Sequence, residues 1–571
     1  MMATAKRMLA FGCAVAILFA ACCTLGLLMM PRWSAEPYRD HITIASADTA
    51  IAPRDAHIAH QGAYATRERH ITIHLEDGEG DVPAILREPV GVDGAHPACL
   101  FIHGSGTGTA EDFGDIANAM SSAGIITLVP AKRTDGYTPA HRDYARFARD
   151  YGTALDLLRA MPGVDAARTG VYAESEGTWI ATLMTSERRD IAFAILTSAP
   201  VYTGREQMAM AVSASIHAAG APTAVVRDAA KLMSMDYAPF DFRYADFDAD
   251  AVRGSLTMPL LVNYGTYDTA MPIEQGARTL VDTAARHGNR NVTVRYYAAN
   301  HQLRAGKGLF TQGLPLAEGY TRDLADWVNG VAAGTDADGW ATPRIAGATP
   351  RQRVAAPRHG TASGIIGSLA MLVGLIVAAV LCFVVAGAGG TMFLVFEMVR
   401  RRRLAMAAAD GMGTGRERFP ALGRRGRTVA PWPGTGRESA RMMGYPHGLK
   451  ALLVAGALTS LGVMLALGGY LSYVGVAALH EQRDPQGMTW GFTALRGGAA
   501  VVLLLTAWLI VRLWRAWRVR RAAVDHGLYP TGRRVRSSWM FGRWHWVMAL
   551  LVLAGMLLTL TVLAFWGLFT A

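Results

Sequence analysis

Cysteine is scarce in this chain, with five among 571 residues. Cys13, Cys22, Cys23 and Cys382 fall in long apolar runs, and Cys99 lies in PACLFIH (97–103), a predicted buried strand. No disulfide can therefore form within the polar part of the chain, and no cysteine-based metal site either. A basic surplus is missing where a nucleic-acid-binding domain would need one. Residues 31–361 carry 31 Lys+Arg against 38 Asp+Glu, although the whole chain is at +11. The excess sits in two short segments, 400–450 with 12 basic and 3 acidic side chains, and 512–543 with 9 and 1. Those arginines flank apolar runs and lack interleaved aromatics on a foldable domain, which argues against nucleic acid as a partner. No Gly-Lys-Ser/Thr follows the glycine-rich loop HGSGTG (103–108), and that loop lacks the last glycine of a dinucleotide fingerprint. No nucleotide cofactor is expected, nor any other.

What the chain does have is long hydrophobic runs. Segments 8–30, 364–399, 449–479, 489–514 and 544–570 each approach or exceed the roughly 20 apolar residues that cross a bilayer as a helix. Five transmembrane helices are expected, with the lipid bilayer as a partner. Lys6 and Arg7 precede the first run and VRRRR (399–403) ends the second. With the two arginine-rich loops, 400–448 and 515–543, placed in the cytoplasm, every loop agrees with one topology. The N-terminus is then inside, residues 31–331 form an extracytoplasmic domain, and 332–361 is a linker rich in Ala, Gly, Pro and Arg. The first run is long for a signal-peptide core and no A-x-A site follows MMPRW, so it reads as an uncleaved anchor. Export without disulfides fits a bacterial envelope.

Within 31–331 the pattern alternates between strands and helices. RHITIHL (69–75), DVPAILREP (81–89), PACLFIH, IITLVP (125–130), TGVYAE (169–174), IAFAILTSAP (191–200), PLLVNYG (259–265) and VTVRYYA (292–298) read as strands. HRDYARFARDYGTALDLLRAM (141–161) carries an apolar stripe at helical spacing, and a last helix is predicted over about 314–330. Strands alternating with crossover helices predict an α/β fold, a mostly parallel sheet covered on both faces, with a helical insertion at about 203–255. Met208, Met210, Met233 and Met235 make that insertion apolar, as a lid over an acyl pocket or as ordinary helix packing.

Ligands of such sheets gather beyond the carboxyl ends of the strands. Four polar groups fall there: His103-Gly104-Ser105-Gly106, Ser175, Asp268 and His301. Ser175 stands in Ala173-x-Ser175-x-Gly177, where a sharp strand-to-helix turn demands small residues two before and two after the serine. A serine hydroxyl needs a base, and the base an orienting acid. Asp268 and then His301 follow in that order, each just past a strand. Ser175 is the candidate nucleophile, His301 the base and Asp268 the orienting acid. The backbone N–H groups of Ser105 and Glu176 are the candidate oxyanion donors. Glu174 and Glu176 are expected on the rim, one facing solvent and one opening the helix. No metal ligands are expected.

On FIHGSG, YAESEGTW, NYGTYDTAMP and AANHQLR, the segment of about 66–330 resembles the α/β-hydrolase superfamily, in particular its dienelactone-hydrolase-like and serine-peptidase-like branches. The resemblance implies the hydrolase fold, a Ser175–Asp268–His301 triad and a cap in the insertion. Its one departure is Ala173 where glycine is usual. The expected function is a membrane-anchored serine hydrolase acting outside the cytoplasm on a small-molecule ester or other acyl substrate. Alternatives are a serine peptidase, an envelope acyltransferase, or a non-enzymatic sensor built on a hydrolase-like domain.

Overall fold

The structure, a computed structural model, describes residues 2–30, 36–75, 80–138, 140–237, 240–308, 311, 313–358, 365–410, 445, 448–525 and 543–570. The chain divides into two compact units, one of residues 31–369 with 475–485 and one of the remaining segments.

In the first unit, nine strands among the described residues form one sheet: β1 (Ala65–His74), β2 (Asp81–Val90), β3 (His96–Ile102), β4 (Ile126–Pro130), β5 (Val164–Glu174), β6 (Ala194–Thr197), β7 (Leu260–Gly265), β8 (Val292–Tyr297) and β9 (Ile345–Gly347). Their order is β1-β2-β4-β3-β5-β6-β7-β8-β9. The β1–β2 and β2–β4 pairs are antiparallel, and every pair from β4–β3 onward is parallel. Parallel strands need crossovers, supplied by α2 (Gly114–Ser121), α3 (Tyr144–Arg159), α4 (Gly177–Glu187), α8 (Ile273–Arg286) and α9 (Tyr320–Ala332). The insertion holds α5 (Gly204–Ala219), α6 (Thr223–Met233) and the short α7 (Asp250–Arg253).

The central strands are apolar throughout because both faces are covered. Leu100, Ile102, Val171, Ala173, Leu196 and Val262 point to the face carrying α3, α4 and α8. Their neighbours Phe101, Tyr172, Ile195 and Leu261 point to the face carrying α2 and α9. This is the period-two alternation of a strand, applied to residues that are hydrophobic at every position. Each fully buried aliphatic side chain contributes about 1.5–3 kcal/mol relative to exposure.

One segment departs from expectation, and a second packs beside it. Residues 333–358 are not a tether: they add β9 to the sheet edge and bury Trp340, Gln352, Val354 and Ala356. Residues 36–64 pack in the same region, with Ile42 and Ile51 buried. Polar side chains secure both segments. Glu274 is fully buried and accepts from the backbone N–H of Ile42 (2.6 Å) and Gln352 (2.7 Å). Arg295, also fully buried, donates to the carbonyls of Thr49 (2.8 Å) and Pro343 (3.0 Å).

Five helices among the described residues, lying mostly in the second unit, are long and apolar enough to cross a membrane: Ala5–Leu28, Leu369–Phe396, Leu449–Leu479, Pro485–Val519 and Trp544–Phe565. They belong to α1 (Met2–Leu28), α10 (Leu369–Asp410), α11 (Leu449–Leu479), α12 (Pro485–Asp525) and α13 (Arg543–Phe565). α10 and α12 run on into the segments expected as basic loops. Of the rest of those loops, 411–444, 446–447 and 526–542 lie outside the described residues. Phe383, Leu452, Leu453, Leu509, Val552 and Met556 form an apolar contact shared by α10, α11, α12 and α13.

Candidate active site

β5 ends at Glu174 and α4 begins at Gly177, which leaves two residues to reverse the chain. Ser175 takes the turn with φ +53°, a left-handed conformation that costs a non-glycine residue about 1–3 kcal/mol. The Ser175 N–H donates to the Thr197 carbonyl on β6 (2.9 Å), which holds the turn against the sheet. A Cβ on Gly177 would lie 2.6 Å from the Ile102 carbonyl oxygen and 2.7 Å from that of His103, so this side of the turn has no room for a side chain. Ala173 is still within β5, paired with Ile102 and Leu196, and its methyl group is fully buried in the core.

The structure brings Ser175, His301 and Asp268 together. His301 Nε2 lies 3.0 Å from Ser175 Oγ, and His301 Nδ1 lies 2.8 Å from Asp268 Oδ2. A carboxylate only accepts, so Nδ1 carries the proton and Nε2 is left to accept from the serine hydroxyl. Asp268 is held in turn: its Oδ1 accepts from the N–H groups of Ala270 (2.8 Å) and Met271 (3.1 Å). Ser198 Oγ donates to the His301 carbonyl (2.6 Å), and Asn300 Oδ1 accepts from Gln302 N and Arg304 N (both 3.0 Å), which anchors the loop after β8. Burial works against a charged imidazole at His301. The charge and hydrogen bond of Asp268, with the charge of Glu174, outweigh it, and the histidine's pKa is raised.

Neither backbone N–H named as an oxyanion donor, that of Ser105 or that of Glu176, has an acceptor among the described residues. His103, at the start of the same loop, has a different task. Its Nε2–H donates to the Pro130 carbonyl (2.8 Å), and burial lowers its pKa to about 4, so it is a neutral anchor for the loop.

A cavity of about 480 Å³ opens beside the serine, bordered by Gly104, Ser105, Phe113, Glu174, Ser175 and His301, among others. Among the described residues of 203–255 none lines this cavity, and Met210 and Met235 are buried in packing. The two glutamates also need correction. Neither lies on a solvated rim: Glu176 is 3 % exposed and Glu174 9 %. The Glu176 carboxylate turns inward to Arg142 Nη1 (2.9 Å), with Lys132 Nζ at 3.8 Å. Lys132, Arg142 and Tyr137 were not singled out in the sequence. Their one signal is a pair of basic residues, Lys132-Arg133, directly after an apolar strand.

A serine in a left-handed turn after β5, with aspartate and histidine past the later strands β7 and β8 of a parallel sheet, decides the architecture. The fold is that of the α/β-hydrolases. No protein-family model matches the chain, and no curated protein matches it. Solved structures similar to it include a dienelactone hydrolase-like promiscuous phosphotriesterase from metagenomic libraries, at 14% identity, covering 47% of this chain and 97% of that one, TM-score 0.31. Another is a 2,6-dihydroxy-pseudo-oxynicotine hydrolase, at 16% identity, covering 48% and 70%, TM-score 0.32. A third is the acylaminoacyl peptidase of Pyrococcus horikoshii, at 14% identity, covering 40% and 37%, TM-score 0.28. Likeness at this level concerns the fold, and the reactions named are those proteins' own.

Proposed function

We propose that this chain is a membrane-anchored serine hydrolase that cleaves carboxylic esters outside the cytoplasm through an acyl-enzyme on Ser175. The observation that carries the reading is the unbroken hydrogen-bond chain from Asp268 through His301 to Ser175. The Ser175 oxygen attacks the ester carbonyl carbon while His301 Nε2 takes its proton. The carbonyl oxygen becomes an oxyanion received by the N–H groups of Ser105 and Glu176. Collapse breaks the bond to the alcohol oxygen, which leaves with the proton from Nε2. Water, deprotonated by the same nitrogen, then releases the acid and restores the serine. Asp268 keeps its charge throughout and stabilises the imidazolium. The charges flanking the apolar helices support the outward orientation.

Labelling cells with a fluorophosphonate probe tests both parts. Wild-type protein in intact cells should be labelled, and Ser175→Ala should not. Labelling that ignores Ser175 sinks the serine chemistry. Labelling of wild type only after the cytoplasmic membrane is permeabilised overturns the orientation alone.

A further inference from the structure

The cavity beside Ser175 is poorly suited to an aliphatic acyl chain. Among its described lining residues only Phe113 and Ile116 offer hydrocarbon side chains. Its mouth instead carries Glu111, Asp112 and Asp115, and Arg304, the one arginine there, is bound to Asp115 Oδ2 (2.5 Å). Glu174 is a separate and more telling feature. It is nine-tenths buried, its carboxylate has no hydrogen bond or ion pair among the described residues, and it lines this same cavity. Burying an ionisable group without a partner is costly. Burial raises its pKa to about 7, against the pull of His301 and Arg304, so it can ionise when a cation arrives. It lines the same cavity as Ser175 and its charge acts on His301, which places it to meet a charge on the acyl part of a bound substrate.

We propose that this cavity takes acyl substrates bearing an ammonium group next to the scissile carbonyl, with Glu174 as its receptor. The inference rests on the serine-hydrolase reading above. A charge-assisted hydrogen bond in a desolvated pocket is worth about 10- to 100-fold in selectivity. The test compares three methyl esters on purified full-length protein at pH 7: alanine methyl ester, its neutral isostere methyl isobutyrate, and anionic monomethyl succinate. Wild type should favour the alanyl ester over the isobutyryl ester by about 10-fold or more in kcat/KM, with the succinyl ester poorest. In Glu174→Gln the alanyl-to-isobutyryl ratio should collapse toward one. Equal or reversed preference in wild type overturns the proposal without reference to any variant. So does a Glu174→Gln protein that labels with fluorophosphonate yet keeps the preference. If no ester is cleaved and Ser175 is not labelled, the hydrolase reading itself fails, an outcome distinct from both.

A different observation points to Lys132. Its side chain has no exposed surface, and its ammonium lies 4.4 Å from the centre of the Tyr137 ring and 5.0 Å from that of Phe147. Lys132 Nζ donates to the Gly104 carbonyl at 2.6 Å. That carbonyl shares a planar trans peptide with the Ser105 N–H, so the two point in opposite directions. Fixing the oxygen toward Lys132 fixes the N–H away from it. The same ammonium faces the carboxylate of Glu176, whose backbone supplies the other oxyanion donor. We infer that Lys132 is a positioning residue that sets the Ser105 amide against the Glu176 amide.

Facing Lys132 are Glu176, Arg142, Tyr137 and the neutral His103. Burial lowers the lysine's pKa to about 8; Glu176 raises it and Arg142 lowers it. Lys132→Met should reduce kcat by about 10- to 100-fold, the cost of weakening one oxyanion donor, with KM changed less than threefold. Wild-type kcat should decline above about pH 8 as Lys132 loses its proton. Lys132→Arg should restore activity and remove that decline, since a guanidinium stays charged. A Met variant with wild-type kcat, or an alkaline limb unmoved in both variants, overturns the inference.

Discussion

Asp268→Asn should lower kcat by about 10⁴-fold at neutral pH while leaving the fold intact. The side chains are nearly isosteric, and Asn Oδ1 can keep the bonds from Ala270 N and Met271 N that hold Asp268. The other position changes sense. An amide NH₂ there faces His301 Nδ1, so the imidazole must place its proton on Nε2, and a protonated Nε2 cannot accept from Ser175 Oγ. The pH profile separates this from simple damage. Burial disfavours the charged imidazole, and Asp268 is the largest influence opposing it. In wild type the base is neutral only above a pKa raised beyond the ordinary histidine value, so activity should fall as pH drops through that limb. Removing the Asp268 charge takes away the raising influence, and the limb of kcat/KM should move to lower pH. A loss under tenfold, or an unmoved limb, would mean that Asp268 does not orient His301.

How much of this site the sequence reveals depends on where its parts lie. Ser175, Asp268 and His301 each follow an apolar strand, and a parallel sheet brings strand ends together, so order along the chain was enough to nominate them. Glu174 and Glu176 defeated the same reading. Acidic residues at a helix start suggest a solvated face, and only tertiary structure reveals Arg142 and Lys132 folded over Glu176. Residues 36–64 and 333–358 were illegible for a related reason. They are held by Glu274 and Arg295 bonding backbone groups, interactions that impose no hydrophobic period. The last helix of the first unit starts at Tyr320, later than the predicted 314, because Gly319 precedes it in a left-handed conformation. α10 reaches Asp410 because arginine and alanine favour a helix as well as leucine does, although such composition beside an apolar run resembles a loop.

The turn at Ser175 yields the second large effect, through its asymmetry. Gly177→Ala should destabilise the first unit by about 2–3 kcal/mol and reduce turnover by at least about 100-fold. The added methyl would meet the carbonyl oxygens of Ile102 and His103, which are backbone atoms of β3 and the loop behind it and cannot rotate away. Relief requires moving α4 off β3. That shift would separate the Glu176 amide from the Ser105 amide and carry Ser175 Oγ away from His301 Nε2. Ala173→Gly, which installs the usual glycine, should behave oppositely. It deletes a fully buried methyl between Ile102 and Leu196 and loosens a strand, costing about 1 kcal/mol. No group at the site is displaced, so turnover should stay within about threefold of wild type, against the loss of more than 100-fold expected from displacement. Thermal denaturation and the rate of fluorophosphonate labelling, measured on both variants, check the contrast. Equal losses in both would mean that the alanine is strained in the turn rather than packed in the strand. The small residue that the elbow cannot do without is Gly177, two after the serine, where the new helix passes over the carbonyls of Ile102 and His103.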